Sequence, residues 1–138
     1  MAQEHRKPLP RPLHTETSKP FWEGTKRHEL MLPRCRKCGS MFFYPREVCP
    51  VCLSPDIEWQ RVSGRGRLHS YTVIHQPANR AFNQDVPYIY AMVQLDEGPR
   101  IISNLVECPI EQARIDMPVE ATFDDVTPEW TLVKFKPV

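Results

Sequence analysis

Two pairs of cysteines with the same internal spacing, Cys35-x-x-Cys38 and Cys49-x-x-Cys52, constrain this chain more than any other feature. Each pair places two sulfur atoms on one tight turn, and Gly39 follows the first pair where such a turn needs a left-handed backbone. The ten residues between the pairs can form a hairpin that brings the second turn opposite the first. Four thiolates then meet in a tetrahedron, which is the arrangement of a closed structural metal site.

Zinc and iron both suit such a site, because rubredoxin-type iron centres use the same four thiolates. A dedicated electron carrier is usually smaller and more acidic than this chain, which has 138 residues and a formal net charge of +1. We therefore predict structural Zn²⁺, with no open coordination position for activating water. An iron-containing, rubredoxin-like electron carrier is the alternative.

The cellular compartment is predicted from the polar start of the chain and from the lack of a long apolar run. The first residues, MAQEHRKPLPRPLH, contain no apolar signal region, and no run of about 18 apolar residues occurs. We therefore expect a cytoplasmic protein that does not span a membrane. In the cytosol, paired cysteines are metal ligands more often than they are disulfides.

The N-terminal part of the chain is rich in proline and poor in apolar side chains. Such a composition cannot bury enough surface to offset its ordering entropy, so residues 1–19 are predicted to form a flexible arm. A helical segment is predicted over residues 20–33, where Phe21, Trp22 and Leu30 give an imperfect apolar stripe.

Beyond the cysteines the pattern changes to short strands separated by turns. Five strands are predicted, in GRLHSYTVIHQ, in both halves of YIYAMVQLDEGPRIISNLVEC, in PVEATFDDV and in WTLVKFKPV. In the first of them Leu68, Ser70, Thr72 and Ile74 are expected to share one face. The segment PIEQARIDMP provides one or two helical turns before the fourth strand. This order indicates a small Greek-key barrel of the OB type, with a β-sandwich as the alternative.

Charge narrows the class of ligand. A net charge of +1 is poor support for a nucleic-acid-binding OB module, which remains an alternative function. Basic residues nevertheless surround the cysteines and the start of the first barrel strand. They form either an ordinary solvated surface or a local phosphate-binding patch. The candidate cations are Arg34, Lys37, Arg61, Arg65 and Arg67.

No catalytic constellation is visible in the sequence. The usual nucleophile, metalloprotease and nucleotide-binding motifs do not occur, and Gly64-Arg65-Gly66 is too short to enclose phosphates by itself. His69 and His75 are expected to be surface or packing residues, and Cys108 a half-buried small apolar residue. We therefore predict no catalytic residues and no activity of the chain alone.

Longer stretches of the chain resemble the acyl-CoA-associated zinc-ribbon/OB-fold family phrase by phrase. They are PFWEG…HELMLPRCRKCGSMFFYPREVCPVC, EWQRVSGRGRLHSYTVIH, PYIYAMVQLDEGPRIISNLV and IDMPVEATF, within residues 20–136. The chain departs from the family at Asp116, where a glycine usually precedes MPV, so the local turn is in question. The resemblance implies an N-terminal helical segment, a rubredoxin-like zinc ribbon and an OB barrel. Together with the arm predicted from composition, the expected parts are the arm (1–19), the helical segment (20–33), the zinc ribbon (34–60) and the OB barrel (61–138).

The same resemblance implies a function. Members work beside thiolase-superfamily enzymes, such as thiolases and thiolase-like aldolases, usually as a non-catalytic subunit that completes the partner's acyl-CoA site. We therefore expect a hetero-oligomer with a thiolase-like catalytic subunit and a coenzyme A thioester at or near the interface. The basic candidates would contact the CoA phosphates. Phe21 and Trp22 would contact either the partner or the chain's own ribbon.

Overall fold

The computed structural model describes residues 15–138. Within them the chain forms one α-helix followed by seven β-strands. Their bounds are α1 (Thr15–Lys26), β1 (Leu30–Cys35), β2 (Ile57–Val62), β3 (Arg65–Ile74), β4 (Tyr88–Leu95), β5 (Arg100–Leu105), β6 (Pro118–Asp125) and β7 (Thr131–Pro137). β1 and β2 form a two-stranded antiparallel sheet, and the other five close into a barrel in the order β3-β4-β5-β7-β6. The predicted mainly β fold with a five-stranded barrel is confirmed, and the β-sandwich is excluded.

The helix lies earlier in the chain than the sequence pattern indicates. It begins at Thr15 rather than at residue 20, and β1 already begins at Leu30, within the segment predicted to be helical. Pro20 lies inside the helix. Phe21 is only 7% exposed, so packing of this face against the core outweighs the local cost of the proline. Residues 1–14 of the predicted arm lie outside the described residues.

The helix, the ribbon sheet and the barrel share one apolar core. Phe21 from α1 and Leu30 and Leu32 from β1 belong to the same buried cluster as Leu68 and Phe135 of the barrel. The ribbon is therefore seated on the barrel through side chains, and β1 continues directly from that core into Cys35, the first of the paired cysteines. No helix of the described residues is long and apolar enough to cross a membrane.

Strand β3 departs from simple alternation. Its register with β4 shifts between Leu68 and Ser70, which marks a β-bulge. Leu68 is fully buried, but beyond the bulge Tyr71, Val73 and the last residue of the strand, Ile74, are half-buried, while Ser70 and Thr72 are exposed. The predicted common face of Leu68, Ser70 and Thr72 is therefore wrong, because the extra residue in the bulge moves later side chains to the opposite face.

The glycines of the Ser-Gly-Arg-Gly junction serve packing. A Cβ on Gly66 would lie 2.3 Å from the backbone oxygen of Gln94 on β4, a distance no real side chain tolerates. Gly64 has φ +77°, and its backbone oxygen accepts a hydrogen bond of 2.8 Å from the Ala121 amide. Both glycines therefore let β3 approach its neighbours closely.

Candidate metal centre and adjoining groove

The four paired cysteines converge on one point. Their sulfur atoms all lie within 4.8 Å of one another, with Cys35–Cys52 at 3.5 Å and Cys38–Cys49 at 3.6 Å. A disulfide needs about 2.05 Å between sulfurs. Four sulfurs at about 2.3 Å from a central ion lie about 3.8 Å apart in a tetrahedron. The spacing therefore fits a four-thiolate metal centre, as the sequence predicts.

The two cysteine turns, which we call the first knuckle (residues 35–40) and the second knuckle (residues 49–54), have the same backbone geometry. The Gly39 amide donates a 2.9 Å hydrogen bond to the Cys35 oxygen, and the Leu53 amide donates a 3.0 Å bond to the Cys49 oxygen. Gly39 and Leu53 both have left-handed backbones, with φ of +77° and +63°. The role of Leu53 was missed, although the parallel hexapeptides CRKCGS and CPVCLS align it with Gly39.

Backbone amides also point at the sulfur atoms. The Cys38 amide lies 3.5 Å from the Cys35 sulfur, and the Val51 amide donates to the Cys49 sulfur at 3.3 Å. The side chain and then the backbone of Ser40 lower the pKa of the Cys38 thiol to about 6. Both effects favour the thiolate of the residue concerned, which is the species that binds a metal. At Cys52 a hydrogen bond with the Ser54 backbone acts in the same direction, but burial and the three neighbouring sulfurs outweigh it and raise the pKa of the thiol to about 11.

Ion pairs brace the sheet that carries the first knuckle. Arg36 lies 3.1 Å from Glu58 and 3.0 Å from Asp56, while Arg34 donates to Glu58 at 3.2 Å. The Arg36 guanidinium, with help from Arg34, holds the pKa of the Glu58 carboxyl below its usual range. Arg34, a predicted phosphate contact, is therefore engaged within the ribbon.

Of the other four candidate cations, two have a partner within the described residues and two do not. Arg61 lies 3.7 Å from Glu29, and Arg67 donates a 2.9 Å hydrogen bond to the Asp116 backbone oxygen. Asp116 itself has φ +67°, so the turn keeps a left-handed backbone although the residue is not glycine. Within residues 15–138, the side chains of Arg65 and Lys37 make neither an ion pair nor a hydrogen bond. They lie apart, on β3 and on the first knuckle.

The two aromatic candidates pack within the chain. Phe21 lies 4.9 Å from Trp22 and 5.6 Å from Phe43, measured between ring centroids. Trp22 makes an edge contact with Trp130 at 5.2 Å. Phe21 is thus part of the junction between helix, ribbon and barrel. Trp22 is half-buried, so part of its ring is accessible. A contact between Trp22 and a partner stays a prediction.

A mainly apolar groove of about 490 Å³ lies between α1, the loop before the second knuckle, and strands β5 and β7. It runs along the weakest seam of the barrel, where β5 and β7 pair in parallel only at Leu105–Phe135. The Ser103 hydroxyl donates to the Val133 oxygen at 2.7 Å across that seam. Side chains lining the groove include Phe21, Trp22, Phe43, Tyr44 and Ile102. Periodicity could not predict this groove, because its walls come from four distant segments.

The cysteine outside the centre has the character of a structural residue. Cys108 is half-buried, and burial raises the pKa of its thiol. Its sulfur contacts the Pro109 carbonyl oxygen at 3.4 Å. A raised thiol pKa disfavours the thiolate that nucleophilic catalysis requires.

Two family descriptions match the chain in succession. Residues 22–58 match "ChsH2, rubredoxin-like zinc ribbon domain", and residues 59–124 match "ChsH2, C-terminal OB-fold domain". The structure is also similar to a solved "Ltp2-ChsH2(DUF35) aldolase" with a TM-score of 0.82 and 35% identity. That similarity covers 92% of this chain and 98% of the other.

Curated relatives are similar over most of the chain. A "DUF35 domain-containing scaffold protein" of Methanocaldococcus jannaschii is 38% identical over 74% of this chain and 73% of its own length. A "Probable enoyl-CoA hydratase alpha subunit" of Thermomonospora curvata is 35% identical over 93% of this chain. The chain spans only 40% of that subunit's length. "Benzoylsuccinyl-CoA thiolase subunit BbsA" of Geobacter metallireducens is 33% identical over 67% of this chain and 60% of its own.

These matches cover the zinc ribbon and the barrel together, in the order in which the structure has them. The suspected resemblance is therefore confirmed: the chain belongs to the DUF35 family of proteins that join a rubredoxin-like zinc ribbon to an OB-fold domain.

Proposed function

We propose that this chain is a non-catalytic accessory subunit of a thiolase-superfamily enzyme that acts on acyl-CoA thioesters. One observation carries the proposal: the whole described architecture is similar, at a TM-score of 0.82, to the Ltp2-ChsH2(DUF35) aldolase chain. Relatives named as subunits of a CoA thiolase and of an enoyl-CoA hydratase support the same class of substrate. The partner would supply the catalytic residues.

The chemistry of the described residues supports an accessory role. The paired cysteines point their sulfurs at one another, which leaves no position for substrate on a bound ion. The remaining cysteine, Cys108, has a raised thiol pKa and lies outside the large groove. Bond-making nucleophiles are therefore expected on the partner and not on this chain.

The metal is proposed to be structural Zn²⁺ held by Cys35, Cys38, Cys49 and Cys52. Tetrahedral thiolate sites favour zinc, and zinc binding would supply much of the folding free energy of a ribbon with so small a core. The reduced state of these thiols suits the predicted cytoplasmic location. Iron with the same ligands would make the chain an electron carrier, whereas the matching family description names a zinc ribbon.

The CoA thioester is proposed to lie where this chain meets the partner. The groove has the size of an ordinary small-molecule site, about 300–1,000 Å³, and its apolar lining suits an acyl or pantetheine arm. Arg65 and Lys37 are the predicted cations whose side chains make neither an ion pair nor a hydrogen bond in the described part of the chain. We propose that Arg65, on an exposed face of β3, contacts a CoA phosphate.

A nucleic-acid-binding role is less well supported by the aromatic residues. A single-strand binder presents several exposed rings on which bases stack. Phe42 is 7% exposed and Phe43 packs against Phe21, so Tyr44 alone of these three neighbouring rings is largely exposed. Two of the three ribbon aromatics therefore pack within the chain and do not offer their faces to a base.

The test is native purification of the affinity-tagged chain under mild conditions, followed by mass spectrometry of whatever elutes with it. The proposal expects a thiolase-superfamily chain in equal molar amount. The control is a variant lacking the centre, Cys38→Ser/Cys49→Ser, which should recover much less. Elution of the parent chain alone, or with nucleic acid and no thiolase-like protein, would contradict the proposal.

A further inference from the structure

The second knuckle and the loop that leads into it together carry an unusual concentration of exposed apolar side chains. Half of the large apolar residues that are exposed between residues 15 and 138, four of eight, fall within residues 44–53. They are Tyr44 (55% exposed), Val48 (42%), Val51 (70%) and Leu53 (73%). Single exposed apolar residues are ordinary, but several together on one small loop mark an interaction site.

The first knuckle provides an internal comparison. The two knuckles share the same hydrogen bonds, yet the first carries Arg36 and Lys37 at its tip and the second carries Pro50 and Val51. All four of these residues are exposed. A zinc knuckle in this protein therefore does not need apolar residues at its tip, and those of the second knuckle need another explanation.

Leu53 strengthens that comparison. It has a left-handed backbone, with φ +63°, at the position where the first knuckle has Gly39. Such a backbone strains any residue with a Cβ, and at 73% exposure the Leu53 side chain gains little from packing within the chain. Strain that local packing does not offset is typical of a functional position.

We propose that the second knuckle is a docking site for the catalytic subunit, and that Val51 and Leu53 insert into an apolar recess of that partner. This inference rests on the proposed function. Tyr44 lines the groove and lies on the loop that leads into the second knuckle, so this loop links the proposed docking site to the proposed thioester site along the chain. The zinc centre would hold the knuckle rigid, which lowers the entropy lost on binding.

Charge indicates the border of the partner's recess. Lys37 and Arg46 are exposed and enter no ion pair within the described residues, while Glu47 is a single exposed carboxylate beside them. Arg36 is neutralised by Asp56 and Glu58. Cations on the same ribbon as an apolar tip fit an apolar recess bordered by carboxylates. The same charges would suit an anionic lipid or a nucleic acid, and the relatives named as thiolase and aldolase subunits favour the catalytic subunit as the occupant. Binding of the parent chain to anionic phospholipid vesicles or to nucleic acid that Val51→Ser abolishes would therefore overturn the inference.

The test compares variants for binding to the thiolase-superfamily chain that the parent recovers, purified and titrated by calorimetry. Val51→Ser/Leu53→Gly removes the apolar tip and relieves the left-handed strain, so zinc content and thermal stability should be kept or raised. Val51→Ser alone leaves the backbone unchanged. Ile115→Ser is the matched control, since Ile115 is 56% exposed but lies before β6 of the barrel.

We expect at least a tenfold loss of affinity for the double variant, an intermediate loss for Val51→Ser and no change for Ile115→Ser. Equal affinity of the parent and Val51→Ser would overturn the inference while leaving the proposed function intact. A parent chain that self-associates through Val51, as shown by sedimentation, would assign the surface to a second copy and also overturn it. If the parent recovers no thiolase-like chain, the proposed function fails first.

Discussion

The imidazole of His28 lies 3.0 and 3.1 Å from the two carboxylate oxygens of Asp125, although 97 residues separate them. His28 also stacks on Phe123, with ring centroids 5.2 Å apart and planes inclined by 6°. Asp125 further accepts a 2.6 Å hydrogen bond from the Thr131 hydroxyl. The link between α1 and the ribbon is therefore fastened to the barrel without any contribution from the metal centre.

Asp125→Ala should lower the free energy of unfolding in a pH-dependent manner. Hydrogen bonds from Thr131 and then His28 lower the pKa of the Asp125 carboxyl. A carboxyl with a lowered folded pKa stabilises the protein above its unfolded pKa of about 3.9 and loses that effect as the pH falls through the folded value. The difference in free energy of unfolding between parent and variant should thus be largest near neutral pH and vanish in strong acid.

The measurement is the urea midpoint of both proteins across that pH range. Release of the proposed zinc ion in acid would affect both proteins through the same four thiols, so it would cancel from their difference. Glu129→Ala is the control, because the exposed Glu129 side chain makes no ion pair among residues 15–138. A difference in stability between parent and Asp125→Ala that stays constant down to the most acidic buffer would contradict the lowered pKa of Asp125.

The metal centre gives the second prediction. Elemental analysis should find one zinc ion per chain in a colourless protein. Cys38→Ser should abolish tight zinc binding and disorder at least residues 34–58, because the metal supplies folding free energy to the ribbon. Cys108→Ser should keep the zinc, since Cys108 lies outside the cluster. A red, iron-loaded protein from native cells, or a fully ordered Cys38→Ser ribbon, would refute the zinc assignment.

Gly66→Ala should destabilise the barrel by about 2 kcal/mol or more, the scale expected for forced overpacking. The new Cβ would lie 2.3 Å from the Gln94 backbone oxygen, and a backbone carbonyl in a sheet cannot move aside easily. Thr72→Ala on the exposed face of the same strand should cost much less. Thermal unfolding of the two variants side by side gives the answer, and equal stability would show that β3 can separate from β4 locally.

Arg65 is one of the two predicted CoA contacts, with Lys37, whose side chains have no partner among residues 15–138. Arg65→Glu should weaken CoA binding by the assembled complex about fivefold, the scale of an exposed charge pair, and more at low salt than at high salt. Arg65→Lys should retain most of the affinity, and Arg67→Ala should perturb the turn at Asp116 instead. Calorimetry at two salt concentrations distinguishes these cases. Unchanged affinity of Arg65→Glu would mean that the partner alone contacts the phosphates.

The sequence was most informative where covalent spacing determines geometry. Two C-x-x-C turns predicted the four-sulfur centre, and turn residues such as Gly98 delimited the barrel strands. The bulge after Leu68 was missed because its cause is the closure of the barrel, which no local pattern contains. The early start of α1 was missed for a similar reason, since the burial of Phe21 is a tertiary contact that outweighs Pro20.

The site was harder to predict than the fold. Five cations could be proposed from charge alone, but only the structure shows that Arg34, Arg61 and Arg67 already have partners. Ion pairs across strands depend on register, and register cannot be read from one sequence. The repeated hexapeptide aligns Leu53 with Gly39, but only the structure shows that Leu53 has the same left-handed backbone.

The central claim, that this chain completes an enzyme whose chemistry lies elsewhere, is tested most directly by reconstitution. The measurement is the rate of C–C bond cleavage or formation on acyl-CoA thioesters by the purified chain, by its purified thiolase-like partner, and by the two mixed in equal amounts. We predict no turnover by this chain, weak turnover by the partner and a large increase on mixing that saturates at one chain per partner. Turnover by this chain alone, or a partner whose activity is unchanged by it, would contradict the account.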